Sequence, residues 1–411
     1  MELAISSSSV AGLGARCKFS LKKTKDLLSS RRLRYPHVIS DKYLHFHTSS
    51  HTASPKMVAS ATKMVSNTYR GRDSSIRLNN KIIKLDSCLV IPPTPNRGGP
   101  RAIIKFLGGA FIGAVPEVTY GYLVEYLAKE GFLVVLVPYN VTFDHAQATK
   151  QVHERFQACF DTILTSGLPE ANLSPAQLGD LPLFSVGHSN GALLQLLIGS
   201  YFSEKIPKAN AIISYNNRPA TEAVPYFEQL GPVVSQMMPA VVATPAYAMA
   251  TNATGDAWKT MLNVVGSIVQ ETEREVLTSL TKFVDQLPSV MNEVTQGVSE
   301  FKPTPSENRE CFKSSYNVEH TLLVKFSSDT IDETDILEET LRPRVDSLGG
   351  TLEKVQLSGN HITPCIQDPK WQVGDLYTPA DAIAQGLKSL SLYETKILAR
   401  TISDWFRRLE S

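Results

Sequence analysis

The chain has 411 residues, a net charge of +1 at pH 7, 42% hydrophobic residues and 20% charged residues. This length suits one large domain or two average ones, and the composition is that of a globular protein with a sizeable core. A nearly neutral chain has no overall field that would attract nucleic acid, so we expect no nucleic-acid partner. The five cysteines are scattered, with no C-x-x-C pair, which predicts reduced thiols rather than disulfides or zinc ligands.

The first 60 residues differ in composition from the rest of the chain. They contain a serine run at residues 6–9 and recurrent Lys and Arg, whereas the only acids are Glu2, Asp26 and Asp41. Organelle transit peptides have this composition, and no apolar run of a secretory signal is present. We expect residues 1–60 to be a disordered plastid transit peptide, cleaved between about 50 and 65, with a disordered basic tail as the alternative. The predicted location is the chloroplast, in the stroma or associated with thylakoids.

Short apolar runs bounded by Gly or Pro predict six buried strands. The strands are Ile103–Leu107, Leu133–Val137, Phe184–Val186, Ala211–Tyr215, Leu322–Phe326 and Leu352–Leu357. Helical patterns follow the first three strands, at Tyr120–Lys129, Gln147–Leu164 and Ala192–Phe202. This alternation predicts an α/β fold, with a mostly parallel central sheet and helices on both faces. Ligands bind such sheets beyond the carboxyl ends of the strands, so the residues that follow each strand are the candidates for function.

The alternation is interrupted at residues 216–312. Pro-rich apolar sequence is followed by apolar residues at helical spacing from Met261 to Val298, and Pro288 is expected to divide them into two helices. Because the segment leaves from the carboxyl end of a strand, we predict a helical cap inserted over the site. A helix packed on the sheet is the alternative. The core then comprises residues 75–215 and 313–408.

A candidate nucleophile lies on the turn Gly187-His188-Ser189-Asn190-Gly191. An apolar strand precedes this G-x-S-x-G pattern and an apolar helix follows it, which is the context that a nucleophile elbow requires. Glycine at 187 and 191 lets strand and helix approach closely, and the serine stands at a helix N-terminus, whose dipole favours developing negative charge. We predict that Ser189 is the nucleophile. The alternative is a tight turn with an unreactive serine.

A serine nucleophile needs a base and an orienting acid, which in this arrangement follow in the chain order Ser, acid, His. Two histidines follow Ser189. His320 precedes a predicted strand and therefore lies at the wrong end of the sheet, whereas His361 follows the last strand, at the correct end. We predict that His361 is the base. His188, inside the elbow, is expected to point away from the chemistry.

The acid should follow the strand that precedes His361. Asp329 lies three residues beyond the strand Leu322–Phe326 and is our prediction, with Asp332 in the same loop as the alternative. Glu333 and Asp335 are expected to begin a solvated helix.

Backbone amides are expected to stabilise the oxyanion of a tetrahedral intermediate. One donor is predicted at Asn190, which follows the nucleophile. The other is predicted in the glycine loop after the first strand, at Gly109 or Ala110, unless that loop is only a tight turn. Two further polar sequences follow strands, at residues 140–145 and 215–218, and they are expected either to contact substrate or to cap helices.

Four motifs carry a family resemblance, at residues 106–113, 138–145, 187–191 and 214–219. Together they resemble a domain-of-unknown-function family of plants and cyanobacteria whose members look like α/β hydrolases. The resemblance covers roughly residues 75–405 and implies the α/β-hydrolase fold and, for plant members, a plastid address. It implies no substrate. The chain departs from many esterases and lipases in one respect, because Leu107 replaces the histidine of their His-Gly-Gly oxyanion loop.

Three functions are compatible with these residues. The first is a serine hydrolase of carboxylic esters or thioesters, acting through Ser189, His361 and Asp329. Apolar residues of the predicted cap suggest a lipid-like acyl group and possible peripheral membrane contact: Met237, Met238, Val241, Val242 and Met249. The second is acyl transfer on the same scaffold, and the third is a non-catalytic plastid binding or assembly protein. We expect no metal, nucleotide or other cofactor, and no membrane span; the oligomeric state stays open.

Overall fold

The computed structural model describes residues 82–94, 99–220, 222, 286, 290, 293, 298–366 and 379–410, with the backbone alone for 379–391. The predicted transit peptide and most of the predicted cap, including its five named Met and Val residues, lie outside the described residues. Within the described ranges, no helix is both long and apolar enough to cross a membrane.

Eight strands form one sheet, and their bounds are β1 Ile83–Leu85, β2 Cys88–Ile91, β3 Ile103–Leu107, β4 Leu133–Leu136, β5 Leu183–His188, β6 Ala209–Ile213, β7 His320–Phe326 and β8 Thr351–Leu357. Their order across the sheet is β1-β2-β4-β3-β5-β6-β7-β8. The strands β1 and β2 pair antiparallel, β2 pairs antiparallel with β4, and the other neighbours are parallel.

Helices connect the parallel strands and cover both faces of the sheet. Their bounds are α1 Pro116–Thr119, α2 Gly121–Lys129, α3 His145–Ser166, α4 Pro175–Leu178, α5 Asn190–Tyr201, α6 Pro305–Ser315, α7 Thr334–Ser347 and α8 Pro379–Arg407. Single 3-10 turns occur at Ile112–Ala114, Pro169–Ala171 and Thr363–Cys365. Side chains of α3, α5, α6 and α7 join the core on one face of the sheet, and side chains of α2 and α8 join the core on the other.

Three of the inner strands are buried along their whole length because both faces of the sheet are covered. All five residues of β3, all four of β4 and all five of β6 are buried. Continuous apolar runs are typical of parallel strands in such a position. The strand order, the parallel centre and the helices on both faces constitute the α/β-hydrolase fold, as the sequence predicts.

The six predicted strands are all present; Ile103–Leu107 has the predicted ends, and the ends of the other five differ by at most two residues. The sequence interpretation missed β1 and β2, because strands of three and four residues are too short to show a period. It also missed α6, which begins at Pro305, inside the segment assigned to the cap. This helix contacts α5 and α7 and is part of the crossover from β6 to β7, so the core resumes before residue 313.

The parallel strands bring their carboxyl ends to one edge of the sheet. The loops after β3, β5, β7 and β8 meet there. Ser328 donates its backbone N–H to the carbonyl of Gly359 at 2.9 Å, which joins the loop after β7 to the loop after β8. Neighbouring strands therefore place the predicted acid and the predicted base side by side.

Candidate active site

Ser189 stands on a strained turn between β5 and α5. Its φ of 55° and ψ of −120° lie in a region that non-glycine residues adopt at a cost of about 1–3 kcal/mol. Two glycines make this turn possible. A Cβ atom at Gly187 would lie 2.6 Å from the carbonyl oxygen of Gly191, and one at Gly191 would lie 2.5 Å from the carbonyl oxygen of Leu107. The first turn of α5 is thus packed directly on the end of β3.

Ser189, His361 and Asp329 form a hydrogen-bonded chain. The Oγ atom of Ser189 lies 3.0 Å from Nε2 of His361, and Nδ1 of His361 lies 2.8 Å from Oδ2 of Asp329. The side chain of Asp329 is 0% exposed and that of His361 is 19% exposed. The structure therefore brings together the three residues that the sequence predicts for catalysis.

The environment of Asp329 keeps its carboxylate ionised. Burial raises the pKa of Asp329, but the hydrogen bond and charge of His361, together with further hydrogen bonds to the carboxylate, outweigh burial and hold the pKa below its usual value. A further hydrogen bond reaches Oδ1 from the backbone N–H of Ile331 at 3.1 Å. Because a carboxylate only accepts hydrogen bonds, Nδ1 of His361 carries a hydrogen and Nε2 is left to accept the proton of Ser189.

The alternative acid, Asp332, has a different partner. Its two carboxylate oxygens accept hydrogen bonds from the backbone N–H of Thr334 at 2.9 Å and from the Thr334 hydroxyl at 2.8 Å. Burial raises the pKa of Asp332 to about 6. Asp332 therefore caps the start of α7 rather than orienting His361.

The other rejected candidates also lie away from the serine. Asp335 is exposed and forms ion pairs with Lys325 and Lys354. Glu333 is less solvated than expected, since its carboxylate accepts the backbone N–H of Asn217 at 2.6 Å. His320 begins β7, at the amino end of the strand, and its Nδ1 lies 3.0 Å from the hydroxyl of Thr351.

The oxyanion donors differ in part from the prediction. The backbone amides of Asn190 and Ala110 have no hydrogen-bond partner within the described part of the chain, and both residues line the pocket beside Ser189. The amide of Gly109 is already engaged, because it donates to the hydroxyl of Tyr120 at 2.7 Å. The prediction of Gly109 as an oxyanion donor is therefore wrong. Glycine at this position instead allows the loop to approach the nucleophile closely, because a Cβ atom added here would lie 3.3 Å from Cβ of Ser189.

Two buried tyrosines brace the glycine loop in place of the missing histidine. Tyr120 accepts the amide of Gly109, and the hydroxyl of Tyr139 donates to the carbonyl of Gly108 at 2.7 Å. Leu107, which occupies the histidine position, is fully buried in the core. Sequence reasoning missed both tyrosines because their partners lie 11 and 31 residues away in the chain and only the folded structure reveals the contacts.

The polar residues after β6 hold the loop that carries Asp329. Asn216 donates its side-chain N–H to the carbonyl of Ile331 at 3.1 Å, and Arg218 donates to the carbonyl of Thr330 at 3.1 Å. Asn217 is buried and ties the same segment to α6 through the carbonyl of Pro305 at 3.0 Å. These residues line the pocket; Asn216 and Arg218 hydrogen-bond to the loop that carries Asp329, and Asn217 hydrogen-bonds to Pro305 and Glu333.

The polar residues after β4 have two separate tasks. Asp144 caps α3 by accepting the backbone N–H of Gln147 at 2.8 Å. His145 instead lines the pocket, where its ring is stacked on Phe301 with centroids 4.5 Å apart and its Nε2 lies 3.3 Å from Nδ2 of Asn190. Burial lowers the pKa of His145 to about 4, so the ring is neutral at pH 7.

A short part of the predicted cap contacts the loops around the site. Gln286 is buried, accepts the backbone N–H of Val141 at 3.0 Å and donates to the carbonyl of Phe111 at 2.9 Å. Glu293 accepts the Thr142 hydroxyl at 2.8 Å. These contacts tie the end of the inserted segment to the loops after β3 and β4.

This fold, with a serine on the turn after β5 and an Asp–His pair after β7 and β8, defines the α/β-hydrolase class. The chain belongs to the family described as Protein of unknown function (DUF1350), whose model matches residues 85–408. It is similar to fungal esterases from Rhizomucor miehei, at 14% identity over 77% of this chain and 83% of that chain, with a TM-score of 0.37. It is also similar to a thermostable esterase from Pseudomonas putida, at 15% identity over 77% and 82%, with a TM-score of 0.36. No curated protein matches the chain.

Proposed function

We propose that the chain is a serine hydrolase that cleaves a carboxylic ester or thioester. The observation that carries the proposal is the continuous hydrogen-bonded chain from the buried carboxylate of Asp329 through His361 to Oγ of Ser189, at 2.8 Å and 3.0 Å. A binding or assembly scaffold has no need of all three groups in this order. The strain stored at Ser189, with φ at 55°, is a further cost that a purely structural turn would not require.

In the proposed first step, Oγ of Ser189 attacks the carbonyl carbon while Nε2 of His361 takes the hydroxyl proton. Asp329 holds the imidazole in the tautomer that can accept this proton and stabilises the imidazolium that forms. The amides of Asn190 and Ala110 donate to the oxyanion. His361 then gives the proton to the leaving alcohol or thiol, and the acyl group stays on Ser189.

In the proposed second step, water replaces the leaving group. His361 takes a proton from the water, hydroxide adds to the acyl carbonyl, and Ser189 leaves with the proton returned from His361. An alcohol in place of water would give acyl transfer by the same sequence of proton transfers. The products therefore report whether the enzyme hydrolyses or transfers.

We propose that the substrate has an apolar acyl group. Much of the described pocket wall is apolar, and its larger apolar side chains are Ile112, Leu193, Phe301, Ile331 and Ile362. Polar side chains also line it: His145 and Asn190 lie beside Ser189, whereas Asn216, Asn217 and Arg218 hydrogen-bond to neighbouring parts of the protein. Pockets that are mostly apolar with a few placed polar groups are typical of small-molecule sites.

The proposal is tested by hydrolysis of p-nitrophenyl esters of increasing acyl length by the purified full chain. We expect turnover that is abolished in Ser189→Ala, with kcat/KM rising from acetate to medium-chain esters. A Ser200→Ala variant provides the matched control, because Ser200 lies on α5 and its hydroxyl donates to the carbonyl of Leu196, away from the pocket. Turnover that persists in Ser189→Ala would contradict the proposed serine hydrolase. A preference for the acetate ester would contradict the proposed apolar acyl group of the substrate.

We also propose, from the composition of residues 1–60, that the protein acts in the chloroplast. The test is a fluorescent protein fused behind residues 1–65 and expressed in plant cells. Fluorescence confined to chloroplasts is expected. Fluorescence spread through the cytosol would contradict the proposal.

A further inference from the structure

A second hydrogen-bonded chain lies beneath the first and links the oxyanion loop to the loop of His361. The backbone N–H of Gly109 donates to the hydroxyl of Tyr120 at 2.7 Å, and this hydroxyl lies 2.7 Å from Nδ1 of His188. On the other side of the same ring, Nε2 of His188 lies 2.9 Å from the carbonyl oxygen of His361. Tyr120 is 0% exposed and His188 is 1% exposed.

With a neutral His188 ring, only one arrangement of hydrogens satisfies all three contacts. The carbonyl of His361 can only accept, so Nε2 of His188 carries a hydrogen and donates it. In a neutral ring Nδ1 then accepts, which requires the Tyr120 hydroxyl to donate to it. The same hydroxyl oxygen is left to accept the N–H of Gly109, so every donor in the chain has an acceptor.

The surroundings keep the ring of His188 neutral. Burial and, to a lesser extent, the charge of His361 lower the pKa of His188 to about 3. The two imidazole rings have centroids 5.0 Å apart, so a proton taken up by His361 during the reaction disfavours a second proton on His188. The hydrogen bonds from Gly109 through Tyr120 and His188 to the carbonyl of His361 therefore keep the same donors and acceptors when the His361 ring changes charge.

We propose that Tyr120 and His188 act as one positioning unit, which fixes the glycine loop beside Ser189 relative to the backbone of His361. The proposal rests on the proposed function, because it assigns a purpose to this alignment only if the serine reacts. Neither side chain is assigned a contact with substrate. Tyr120 acts by holding the glycine loop that contains the Ala110 amide, and His188 acts by holding the main chain of His361.

The test begins with wild-type full chain, for which the rate of reaction of Ser189 with a fluorophosphonate must first be measured. Tyr120→Phe removes only the hydroxyl. We expect kcat for ester hydrolysis to fall by about 10–100-fold with KM changed by less than about twofold, because a small misplacement of catalytic groups has this effect on the chemical step. The fluorophosphonate rate is expected to fall in parallel.

Tyr316→Phe is the matched control. Tyr316 is also fully buried, and its hydroxyl bonds to Nδ2 of Asn210 at 2.9 Å and to Thr321 at 2.8 Å, in the core and away from Ser189. Its loss should lower thermal stability but leave kcat unchanged. Equal kcat values for Tyr120→Phe and wild type would overturn the inference, whereas a wild type that does not react with the probe would overturn the proposed function instead.

A double-mutant cycle distinguishes one shared unit from two independent structural contacts. His188→Gln keeps an amide that can donate to the carbonyl of His361 but does not bridge to Tyr120, and His188→Leu keeps neither contact. We expect kcat to fall in the order wild type, His188→Gln, His188→Leu. The double variant Tyr120→Phe with His188→Gln should lose no more than the worse single variant, and multiplicative losses would contradict a shared unit.

Discussion

The Oδ2 atom of Asp329 lies 2.8 Å from Nδ1 of His361, at a carboxylate whose side chain is wholly shielded from solvent. A buried charge is costly unless it is paired and hydrogen-bonded, and here His361 and the amide of Ile331 supply the partners. The two residues follow neighbouring parallel strands, so their alignment is fixed by the register of β7 and β8.

Asp329→Asn should lower kcat by about 10³–10⁴-fold, because an amide can hold His361 in the wrong tautomer while leaving the geometry intact. Asp332→Asn is the matched control, since it makes the same chemical change three residues further along the loop, at a side chain bonded to Thr334. It should keep kcat within about threefold of wild type, because it removes no group of the proposed mechanism. Steady-state kinetics on both variants provide the measurement, and a larger loss in Asp332→Asn would reassign the acid.

Gly191→Ala should damage the site by steric overlap. The added Cβ would lie against the carbonyl oxygens of Leu107 and Gly108, forcing α5 away from the end of β3. We expect a loss of about 1–3 kcal/mol in the free energy of unfolding together with a fall in kcat. Gly99→Ala is the control, because a Cβ at this glycine meets no atom of the described residues within 4 Å. If Gly191→Ala and Gly99→Ala had equal stability and equal kcat, the close approach of α5 to β3 at Gly191 would be unimportant.

His145 should make the folded state sensitive to acid. Burial lowers its pKa in the folded chain to about 4, compared with about 6.5 for an unfolded histidine. Between these two values the unfolded state binds more protons, so stability is lost as the pH falls below about 6.5. The contribution lost between pH 7.5 and 5.0 is about 2 kcal/mol.

The variant His145→Gln removes this titration and should flatten the pH dependence by that amount. Urea unfolding of wild type and variant at pH 7.5 and 5.0 measures it. Parallel losses in the two proteins would mean that His145 is not held neutral in the folded chain.

The hydrogen-bonded chain through Ser189 was predictable because it depends on order along the sequence. The elbow identifies Ser189, and of the two histidines that follow it, only His361 lies at the correct edge of the predicted sheet. Both steps use local patterns, which is also why the six longer strands were found. The sequence separates Asp329 from Asp332 less clearly, because both lie in one loop and only the folded structure shows which carboxylate reaches the ring of His361.

The bracing of the glycine loop was not predictable in the same way. Nothing in the local sequence shows that the hydroxyl of Tyr120 takes the amide of Gly109, so the sequence could not decide between Gly109 and Ala110 as donor. The same holds for Asn216 and Arg218, whose partners lie more than a hundred residues away in the loop of Asp329. Contacts of this kind depend on tertiary packing, which periodicity and spacing do not encode.

Reaction with a fluorophosphonate probe shows whether Ser189 is an activated nucleophile. The oxygen of Ser189 displaces fluoride from the probe, so folded wild-type protein should gain the mass of one probe less HF, located on Ser189 by peptide mapping, and Ser189→Ala should gain none. The rate should fall strongly in Asp329→Asn, because the probe requires the same activated serine. If folded wild-type protein stays unlabelled, or if Ser189→Ala is labelled to the same extent as wild type, Ser189 is not the activated nucleophile.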